Sequence, residues 1–399
     1  MITVTDKIKC CGCGACFNIC PKNCISMKRD EEGFAYPKVD KNLCINCGLC
    51  EKVCPIINNN PENEVKTVYG ARHKSAEIKG LSSSGGMFTL LAEYVLMRGG
   101  VVFGAGFDGS WRVRHTYAEN ETDLDNLRRS KYVQSDMGVC FKTAKDFLQA
   151  GRQVLFTGTP CQTAGLKNYL GNDYPNLLTA DIICHGVPSP GVWERFLNET
   201  APLRDIKAID FRHKRFGWDA SYLNISLKDG GSLPSSGGLF KYCKGFLNRS
   251  KGRFFRLIYR LPFTISNLYE RPSCHACAFK GKRKYADFTM ADLWGVKEIM
   301  PSMYDEKGVS LLMINSPKAQ AVFNDLAENL LYKGISLEAI AKYNPYFLRS
   351  TSPSPYREEF FKSFRTGESF YKIMSRCKKR GVKGFLLNLL RFAGGSKIL

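Results

Sequence analysis

The sequence predicts two parts of different fold class, a small α+β module built around cysteines and a larger α/β domain. Two observations support this division. A motif of four cysteines and a proline occurs twice within residues 1–60. Beyond residue 66, short β-like runs alternate with helical runs, the pattern typical of an α/β domain. The length of 399 residues is also enough for two or three domains.

The repeated motif has the cysteine spacing of bacterial two-cluster ferredoxins. Cys10-x2-Cys13-x2-Cys16-x3-Cys20-Pro21 is followed by Cys44-x2-Cys47-x2-Cys50-x3-Cys54-Pro55. In such runs three closely spaced thiolates hold one iron–sulfur cube, and the fourth thiolate ligates the other cube. We therefore expect residues 1–60 to form a ferredoxin-like domain with two [4Fe-4S] clusters.

This rule assigns four cysteines to each cluster. Cluster I takes Cys10, Cys13, Cys16 and Cys54, and cluster II takes Cys44, Cys47, Cys50 and Cys20. Two zinc knuckles are the alternative, but zinc needs only four tetrahedral ligands per site and no proline after the fourth cysteine. Cys11 and Cys24 fall outside the spacing, and we expect them to be small buried residues.

Four more cysteines lie at loop or strand-end positions of the α/β region. Cys161 and Cys184 each follow a predicted buried strand, whereas Cys274 and Cys277 form a CxxC in a loop. The carboxyl ends of parallel strands carry ligands at one edge of a sheet. The four thiols therefore suit a third [4Fe-4S] cluster, a zinc site, or a redox CxxC beside two unrelated cysteines. The spacing alone leaves these alternatives open.

Two other segments suit an anionic ligand. Ser82 to Gly86 precede a predicted helix over Met87–Leu96, and free N–H groups at such a start bind phosphate, although a simple N-cap is the alternative. Arg212 and Lys214 lie beside aromatic residues, which suits a phosphate and a ring, but a solvated charge run fits equally well. His185, next to Cys184, is either a proton donor or a packed histidine.

Gly104-x-Gly106-x-x-Gly109 matches a dinucleotide fingerprint only formally. That fingerprint needs a helix directly after it. Here an alternating, strand-like run follows from Ser110 to Tyr117, and Asp108-Gly109 is a hairpin signal. We therefore predict a β-turn at these glycines.

The net charge of +21 favours anionic partners, but the excess is concentrated in patches. Lys241 to Arg271 contain eight basic residues and one acid, and Lys372 to Lys397 contain eight and none. Local patches argue against general binding of nucleic acid. Two segments suit contact with an anionic membrane face, namely Phe370–Phe392 and the basic, aromatic stretch Arg249–Asn267. For Phe370–Phe392 the alternative is a helix that covers the core. The sequence shows no secretory signal and no membrane-spanning segment. Reduced thiols favour the cytoplasm, and we also expect peripheral contact with the inner membrane face.

Five motifs in the middle of the chain occur in the order of a known family. They are Ser83-Ser84-Gly85-Gly86, Gly158-Thr159-Pro160-Cys161-Gln162, Ile183-Cys184-His185-Gly186-Val187-Pro188-Ser189, Arg271-Pro272-Ser273-Cys274-x-x-Cys277 and Ala291-Asp292-Leu293-Trp294-Gly295. This set resembles the beta subunit of the deazaflavin-coenzyme (F-420) hydrogenases and dehydrogenases over about residues 66–350. Ala291 stands where a glycine is usual, and Arg249–Asn267 is an insertion.

The resemblance implies an α/β flavin-binding domain that holds FAD and the third [4Fe-4S] cluster. The metal ligands would then include Cys161, Cys184, Cys274 and Cys277. The expected flavin contacts are Ser83, Ser84, Gly85, Gly86, Thr157, Gly158, Thr159, Arg212 and Lys214. The expected domains are 1–60 (ferredoxin), 66–145 and 150–350 (the two parts of the flavoprotein region) and 351–399 (a basic tail), with a linker at 58–64.

The expected function is that of an iron–sulfur flavin-dependent oxidoreductase. Clusters move single electrons, whereas a flavin accepts electrons singly and donates them in pairs. We expect a relay from an outside redox protein through clusters I and II, the third cluster and FAD to an anionic small molecule or cofactor, or the reverse. The alternative is an electron-transfer subunit that serves a partner enzyme and has no substrate of its own.

Overall fold

The computed structural model describes residues 1–234 and 267–377. Its strands are β1 (Ile25–Arg29), β2 (Ala35–Val39), β3 (Asn63–Glu64), β4 (Thr67–His73), β5 (Val101–Phe107), β6 (Val113–Ala118), β7 (Val154–Thr157), β8 (Leu177–Ile182), β9 (Ile206–His213), β10 (Tyr222–Leu227), β11 (Ser232–Pro234), β12 (Arg283–Lys284), β13 (Phe288–Asp292), β14 (Ser310–Ile314) and β15 (Leu330–Gly334).

Its helices are α1 (Ala15–Ile19), α2 (Leu49–Lys52), α3 (Ala76–Leu81), α4 (Met87–Leu96), α5 (Glu121–Leu127), α6 (Cys140–Gln149), α7 (Pro160–Leu170), α8 (Pro190–Thr200), α9 (Val296–Ile299), α10 (Pro317–Leu326), α11 (Leu337–Tyr343) and α12 (Arg357–Arg365). Residues 370–377 are also helical. In the described ranges no helix has the length and apolar character needed to cross a membrane. Residues 249–266 of the Arg249–Asn267 segment and residues 378–392 of the Phe370–Phe392 segment lie outside the described residues.

The N-terminal module pairs β1 with β2 in an antiparallel hairpin and places short helices next to it. Ile25 lies opposite Val39 in this hairpin. The chain then runs through residues 58–65 along the larger domain, where β3 pairs with β12. The Tyr285 hydroxyl accepts a hydrogen bond from the Asn60 amide at 2.6 Å. The connecting segment is therefore held along the surface of the domain.

The centre of the larger domain is a mixed eight-stranded sheet in the order β15-β4-β14-β13-β8-β7-β5-β6. The central strands β5, β7, β8 and β13 are parallel neighbours, and the outer strands are antiparallel. Successive residues of a strand point to opposite faces, so Leu155 packs on the side of α4 and α10, whereas Val154 and Phe156 pack on the side of α6 and α7. Helices thus cover both faces, as an α/β domain requires. A separate sheet, β11-β10-β9, lies in the same chain.

Local predictions were largely accurate. The predicted helix over Met87–Leu96 is α4, and β5 and β6 form the predicted hairpin around Asp108. The second hairpin strand begins at Val113 rather than at Ser110, because residues 108–111 form the turn. Helix α7, which follows the strand before Cys161, begins at Pro160, because Thr159 and Gln162 form a reciprocal capping box.

The ferredoxin-type module shares its core with the α/β domain. Cys11 and Cys13 belong to the apolar cluster of Phe156 and Ala164, while Phe34 packs with the cluster of Trp193. Glu32 forms a two-pronged ion pair with Arg357 of α12, with Nη1–Oε1 at 2.8 Å and Nη2–Oε2 at 2.5 Å. A Cβ atom added to Gly33 would lie 2.6 Å from the Cα of Gly191 in α8. The module is therefore packed tightly against the domain.

Candidate functional site

The four cysteines expected to hold cluster I lie together between α1 and α2. Burial, followed by the sulfurs of Cys10 and Cys54, raises the pKa of Cys16 to about 12. A hydrogen bond with Cys11 lowers the pKa of Cys13, but burial and the sulfur of Cys16 outweigh it and raise that pKa above its usual value. Buried neutral thiols of this kind lose their protons when a metal binds. The sulfur donors at this place fit an iron–sulfur cluster.

The four cysteines expected to hold cluster II line one small cavity near the surface. Cys20, Cys44, Cys47 and Cys50 all contribute to its wall. Cys47 is exposed, and the Ile2 amide donates to the Cys50 sulfur at 3.3 Å. An N–H donor of this kind is one of the contacts that set a cluster potential.

Cysteines 161, 184, 274 and 277 are brought together by the fold, although they come from distant segments. Burial raises the pKa of Cys184 well above its usual value, and the sulfurs of Cys274, Cys161 and Cys277 act in the same direction. Burial also raises the pKa of Cys274 to about 12, and the Val187 amide donates to its sulfur at 3.4 Å. The four residues are partly exposed, and their thiols are neutral. Four thiolates so close together would repel each other, and the cationic core of an iron–sulfur cluster would remove that repulsion. We refer to this place as the third-cluster site.

The two cysteines outside the motif spacing are buried as expected, but both contact ligand cysteines. Cys24 lies with its sulfur 3.3 Å from that of Cys20. The Cys11 thiol lies beside those of Cys13 and Cys161: Cys13 raises the pKa of Cys11, Cys161 lowers it, and with burial the pKa lies well above its usual value. Cys11 therefore connects the cluster I site with the third-cluster site. Among the residues that the structure describes, no group of three or more His, Cys, Asp or Glu side chains is arranged to hold a single metal ion.

A cavity of ≈ 590 Å³ opens beside the third-cluster site, at the carboxyl ends of β7 and β8. This volume lies within the usual range for small-molecule and cofactor sites. Cys184 and His185 line one side of it. Seven of the nine predicted flavin contacts also line it, namely Ser83, Ser84, Gly86, Thr157, Gly158, Thr159 and Arg212. Gly85 and Lys214 are not among its lining residues.

A chain of hydrogen bonds holds the cavity floor at the end of β7. Burial lowers the pKa of His115 to about 4, so its ring is neutral. Its Nε2 donates to the Thr157 carbonyl oxygen at 2.8 Å, and its Nδ1 accepts from the Ser135 hydroxyl at 2.8 Å. The Gln162 side-chain amide donates to the same hydroxyl at 2.9 Å. This network positions the turn at residues 157–159.

The loop at Ser83–Gly86 approaches strand β14 closely. The Gly85 amide donates to the Ser310 hydroxyl at 2.9 Å. A Cβ atom on Gly85 would lie 2.6 Å from the Ala71 carbonyl oxygen and 2.8 Å from the Ser310 amide nitrogen, so only glycine fits without a backbone shift. Lys214 supports the same loop, since its Nζ donates to the Ser84 carbonyl oxygen at 3.3 Å.

Cations accumulate along the cavity. Burial, followed by the charge of Arg129, lowers the pKa of Lys131 to about 7. Burial, followed by the charge of Arg212, lowers the pKa of Lys214 to about 7. Arg212 is paired with Asp292, but its Nε is buried without a hydrogen-bond partner. The Nζ atoms of both lysines already donate to backbone carbonyl oxygens, so Arg212 Nε is the donor left over here, and the positive charges around it suit an anionic ligand.

His185 faces the cavity and is held from behind by a buried carboxylate. Its Nδ1 donates to Glu270 Oε1 at 2.7 Å, and Thr351 donates to the other carboxylate oxygen at 2.7 Å. The Tyr346 ring lies edge-on to the imidazole at 4.1 Å between centroids. His185 is therefore oriented by specific contacts, and its exposed edge points toward ligand space.

Fold and cysteine sites together define a class, a protein of iron–sulfur type with a ferredoxin-type module joined to an α/β domain. Residues 9–57 match the model of the 4Fe-4S dicluster domain, and residues 151–338 match that of the C terminus of the coenzyme F420 hydrogenase/dehydrogenase beta subunit. The chain is thus similar to the coenzyme F420 hydrogenase/dehydrogenase beta subunits over residues 151–338, with a 4Fe-4S dicluster domain in front. The resemblance predicted from the five motifs is confirmed.

A solved chain of the F420-reducing [NiFe] hydrogenase complex from Methanosarcina barkeri, studied with xenon, is structurally similar. The identity is 16%, the TM-score is 0.45, and the match covers 79% of this chain and 92% of that chain. No curated protein matches the sequence.

Some residues of the site escaped the sequence-based prediction. Lys131, Tyr132 and Ser135 line the cavity, but they lie in a stretch without a recognisable ligand motif. His115 belongs to a hairpin strand that was predicted only from its alternation. The alternation of apolar and polar residues in this strand indicated that His115 points inward, and a buried histidine was the one sequence signal for this part of the site.

Proposed function

We propose that this protein is an iron–sulfur flavoprotein oxidoreductase that connects single-electron clusters with a two-electron reaction in the ≈ 590 Å³ cavity. One observation carries the proposal: the same cavity is lined by Cys184 of the third-cluster site and by the Ser83–Gly86 and Thr157–Thr159 segments. A ligand bound there would lie beside the third-cluster site.

The residues of this chain would divide the work between them. When bound, clusters supply single electrons and a flavin exchanges single electrons for pairs. The Ser83–Gly86 loop and Arg212 would bind the phosphates of FAD, and the charge of the protonated Lys131 ammonium beside the cavity would favour them. The turn at Thr157–Thr159 would position the ligand over the sheet edge. His185, which is held by Glu270, would present an N–H or a lone pair to the cavity.

Cysteines 161, 184, 274 and 277 would hold the third [4Fe-4S] cluster, and the motif cysteines would hold clusters I and II. Cys11 lies between Cys13 and Cys161 and so joins the first and third sites by direct contact. Cys47 is exposed, which supports entry of electrons from a redox protein at cluster II.

The test is anaerobic purification with iron, sulfide and flavin quantified together. Three cubanes and one flavin correspond to about twelve irons and one FAD per chain. Cys161→Ser should lower the iron content by about one third, whereas Cys140→Ser, a buried cysteine that donates to the His115 carbonyl oxygen, should leave it unchanged. Eight irons in the unmodified protein would remove the third cluster, and a protein that binds no flavin would remove the proposed function.

A second candidate function is supported by the family itself, whose model describes a beta subunit. In that case the chain passes electrons to a partner enzyme and has no substrate of its own. Substrate reduction by the isolated chain with an artificial electron donor favours the first function. Strict dependence on a second polypeptide favours the second.

A further inference from the structure

Arg271 is a fully buried cation that none of its hydrogen bonds neutralises. Only 1% of the Arg271 surface is exposed to solvent. Its Nε donates to the Cys10 carbonyl oxygen at 2.7 Å, its Nη1 to Gln134 Oε1 at 2.9 Å, and its Nη2 to the Ala35 carbonyl oxygen at 3.0 Å. All three acceptors are neutral, and the guanidinium cannot lose its proton.

A buried charge is costly unless an opposite charge lies close to it. The nearest groups that become anionic on binding a metal are sulfurs. Arg271 Nη2 lies 3.6 Å from the Cys10 sulfur, which belongs to the cluster I site. Burial acts to lower the pKa of Arg271, but the Cys10 sulfur, then the Tyr36 hydroxyl and then the sulfurs of Cys11 and Cys274 raise it above its usual value.

The position of Arg271 in the chain brings it to two sites at once. It directly precedes the 272–276 turn that carries Cys274, and its amide donates to the Val187 carbonyl oxygen at 3.0 Å. Its guanidinium reaches back into the N-terminal module, where the Tyr36 ring lies 4.3 Å away. The tight contact with Gly12, where an added Cβ would lie 2.7 Å from Nη1, leaves the side chain little freedom.

We propose that Arg271 is a shared counter-cation of cluster I and the third cluster, and that its charge raises the reduction potentials of both relative to cluster II. The role at the third cluster rests on the proposed function, whereas the role at cluster I does not. Reduction adds negative charge to a cluster, so a fixed cation nearby stabilises the reduced form more than the oxidised form. The two inner clusters would then hold the electron more favourably than the exposed cluster II.

The test is a potentiometric titration of the anaerobically purified full chain, followed by electron paramagnetic resonance. Spectra of Cys54→Ser, Cys20→Ser and Cys161→Ser variants assign the signals of cluster I, cluster II and the third cluster, respectively. In Arg271→Gln, the ratio of reduced to oxidised cluster at a fixed potential should fall about tenfold for cluster I and for the third cluster. This fall corresponds to a decrease in reduction potential of about 59 mV for one electron. Cluster II should stay within threefold, and Arg271→Lys should retain most of the effect.

Two further variants make the test robust. Gln134→Glu places a carboxylate against Arg271 Nη1 and should lower the same two potentials, even where Arg271→Gln fails to retain its clusters. Arg195→Gln is the matched control, because Arg195 also donates to backbone carbonyl oxygens, at 2.6 Å for Phe364, but lies on α8. Unchanged potentials in both Arg271→Gln and Gln134→Glu would overturn the proposal.

The iron content separates this result from a failure of the proposed function. Eight irons in the unmodified protein would remove the third cluster, but a shift of cluster I alone would still support the role of Arg271. About twelve irons with unshifted potentials would refute the role of Arg271 and leave the proposed function intact.

Discussion

Replacing Asp292 by asparagine is expected to lower the free energy of unfolding by about 3–5 kcal/mol, the usual effect of removing one partner from a buried ion pair. The Arg212 side chain is 7% exposed and that of Asp292 is 14% exposed. Asp292 also accepts a hydrogen bond from Trp218 Nε1 at 3.1 Å. Asparagine preserves the shape of the side chain, but it leaves the Arg212 guanidinium buried without its carboxylate.

The magnitude follows from the position of the pair. Two unit charges about 4 Å apart attract each other by about 4 kcal/mol at an effective dielectric constant of about 20. The exposed pair of Lys297 and Asp219, with Nζ and Oδ2 3.1 Å apart, provides the matched control. Lys297 is 53% exposed, so Asp219→Asn is expected to cost less than about 1 kcal/mol.

The assay is urea unfolding of anaerobically prepared protein with equal iron content, followed by circular dichroism. Asp292→Asn should unfold at a clearly lower urea concentration than Asp219→Asn, with a similar slope. If the two variants differ by less than about 1 kcal/mol, the Arg212 charge is neutralised by other groups and the reasoning is refuted.

Two further predictions concern flavin binding. Gly85→Ala forces a backbone shift against β14 and should lower flavin affinity about tenfold, with the iron content unchanged. Gly80→Ala is the control and should leave flavin affinity unchanged, because its added Cβ meets no atom within 4 Å. Flavin is measured by fluorescence after acid release, and equal flavin contents of the two variants would contradict this prediction. Burial lowers the pKa of Lys131 and Lys214 to about 7, so both are mostly neutral at pH 8, and binding an anionic flavin should take up protons. Flavin affinity should therefore fall from pH 6 to pH 9, and the unfolding free energy of the flavin-free protein should rise from pH 7 to pH 10, because the unfolded state binds more protons. Calorimetry in buffers of different ionisation enthalpy measures the uptake, and affinity independent of pH would exclude it.

The sequence was most informative where one short segment contains the whole pattern. The spacing from Cys10 to Cys20, repeated from Cys44 to Cys54, identified the dicluster domain because ligands so close in sequence must follow one local geometry. The helix at Met87–Leu96 was recognisable for the same reason, since its start signal and apolar periodicity are local. The flavin and the third cluster remain predictions.

Contacts between distant segments could not be predicted in this way. Cys11 falls outside the spacing of the cluster motif, and its neighbour Cys161 lies on α7 of the other domain, 150 positions further along the chain. Lys131 belongs to a basic stretch that looks like a solvated surface, yet its Nζ donates to the Asn126 and Arg128 carbonyl oxygens at 2.6 and 2.7 Å. Its burial depends on tertiary packing, which periodicity does not encode.

The contact between Gly33 and Gly191 limits how freely the N-terminal module can be exchanged. An added Cβ on Gly191 would lie 2.9 Å from the Gly33 Cα, and Gly33 itself has a φ of +85°. A foreign ferredoxin domain fused to this α/β domain would need glycine at the same hairpin position. Even one extra methyl group there would push the hairpin away from α8 and would displace the domain relative to Cys161. Compatibility of chimaeras would thus be decided by a backbone crossing that carries no redox chemistry of its own.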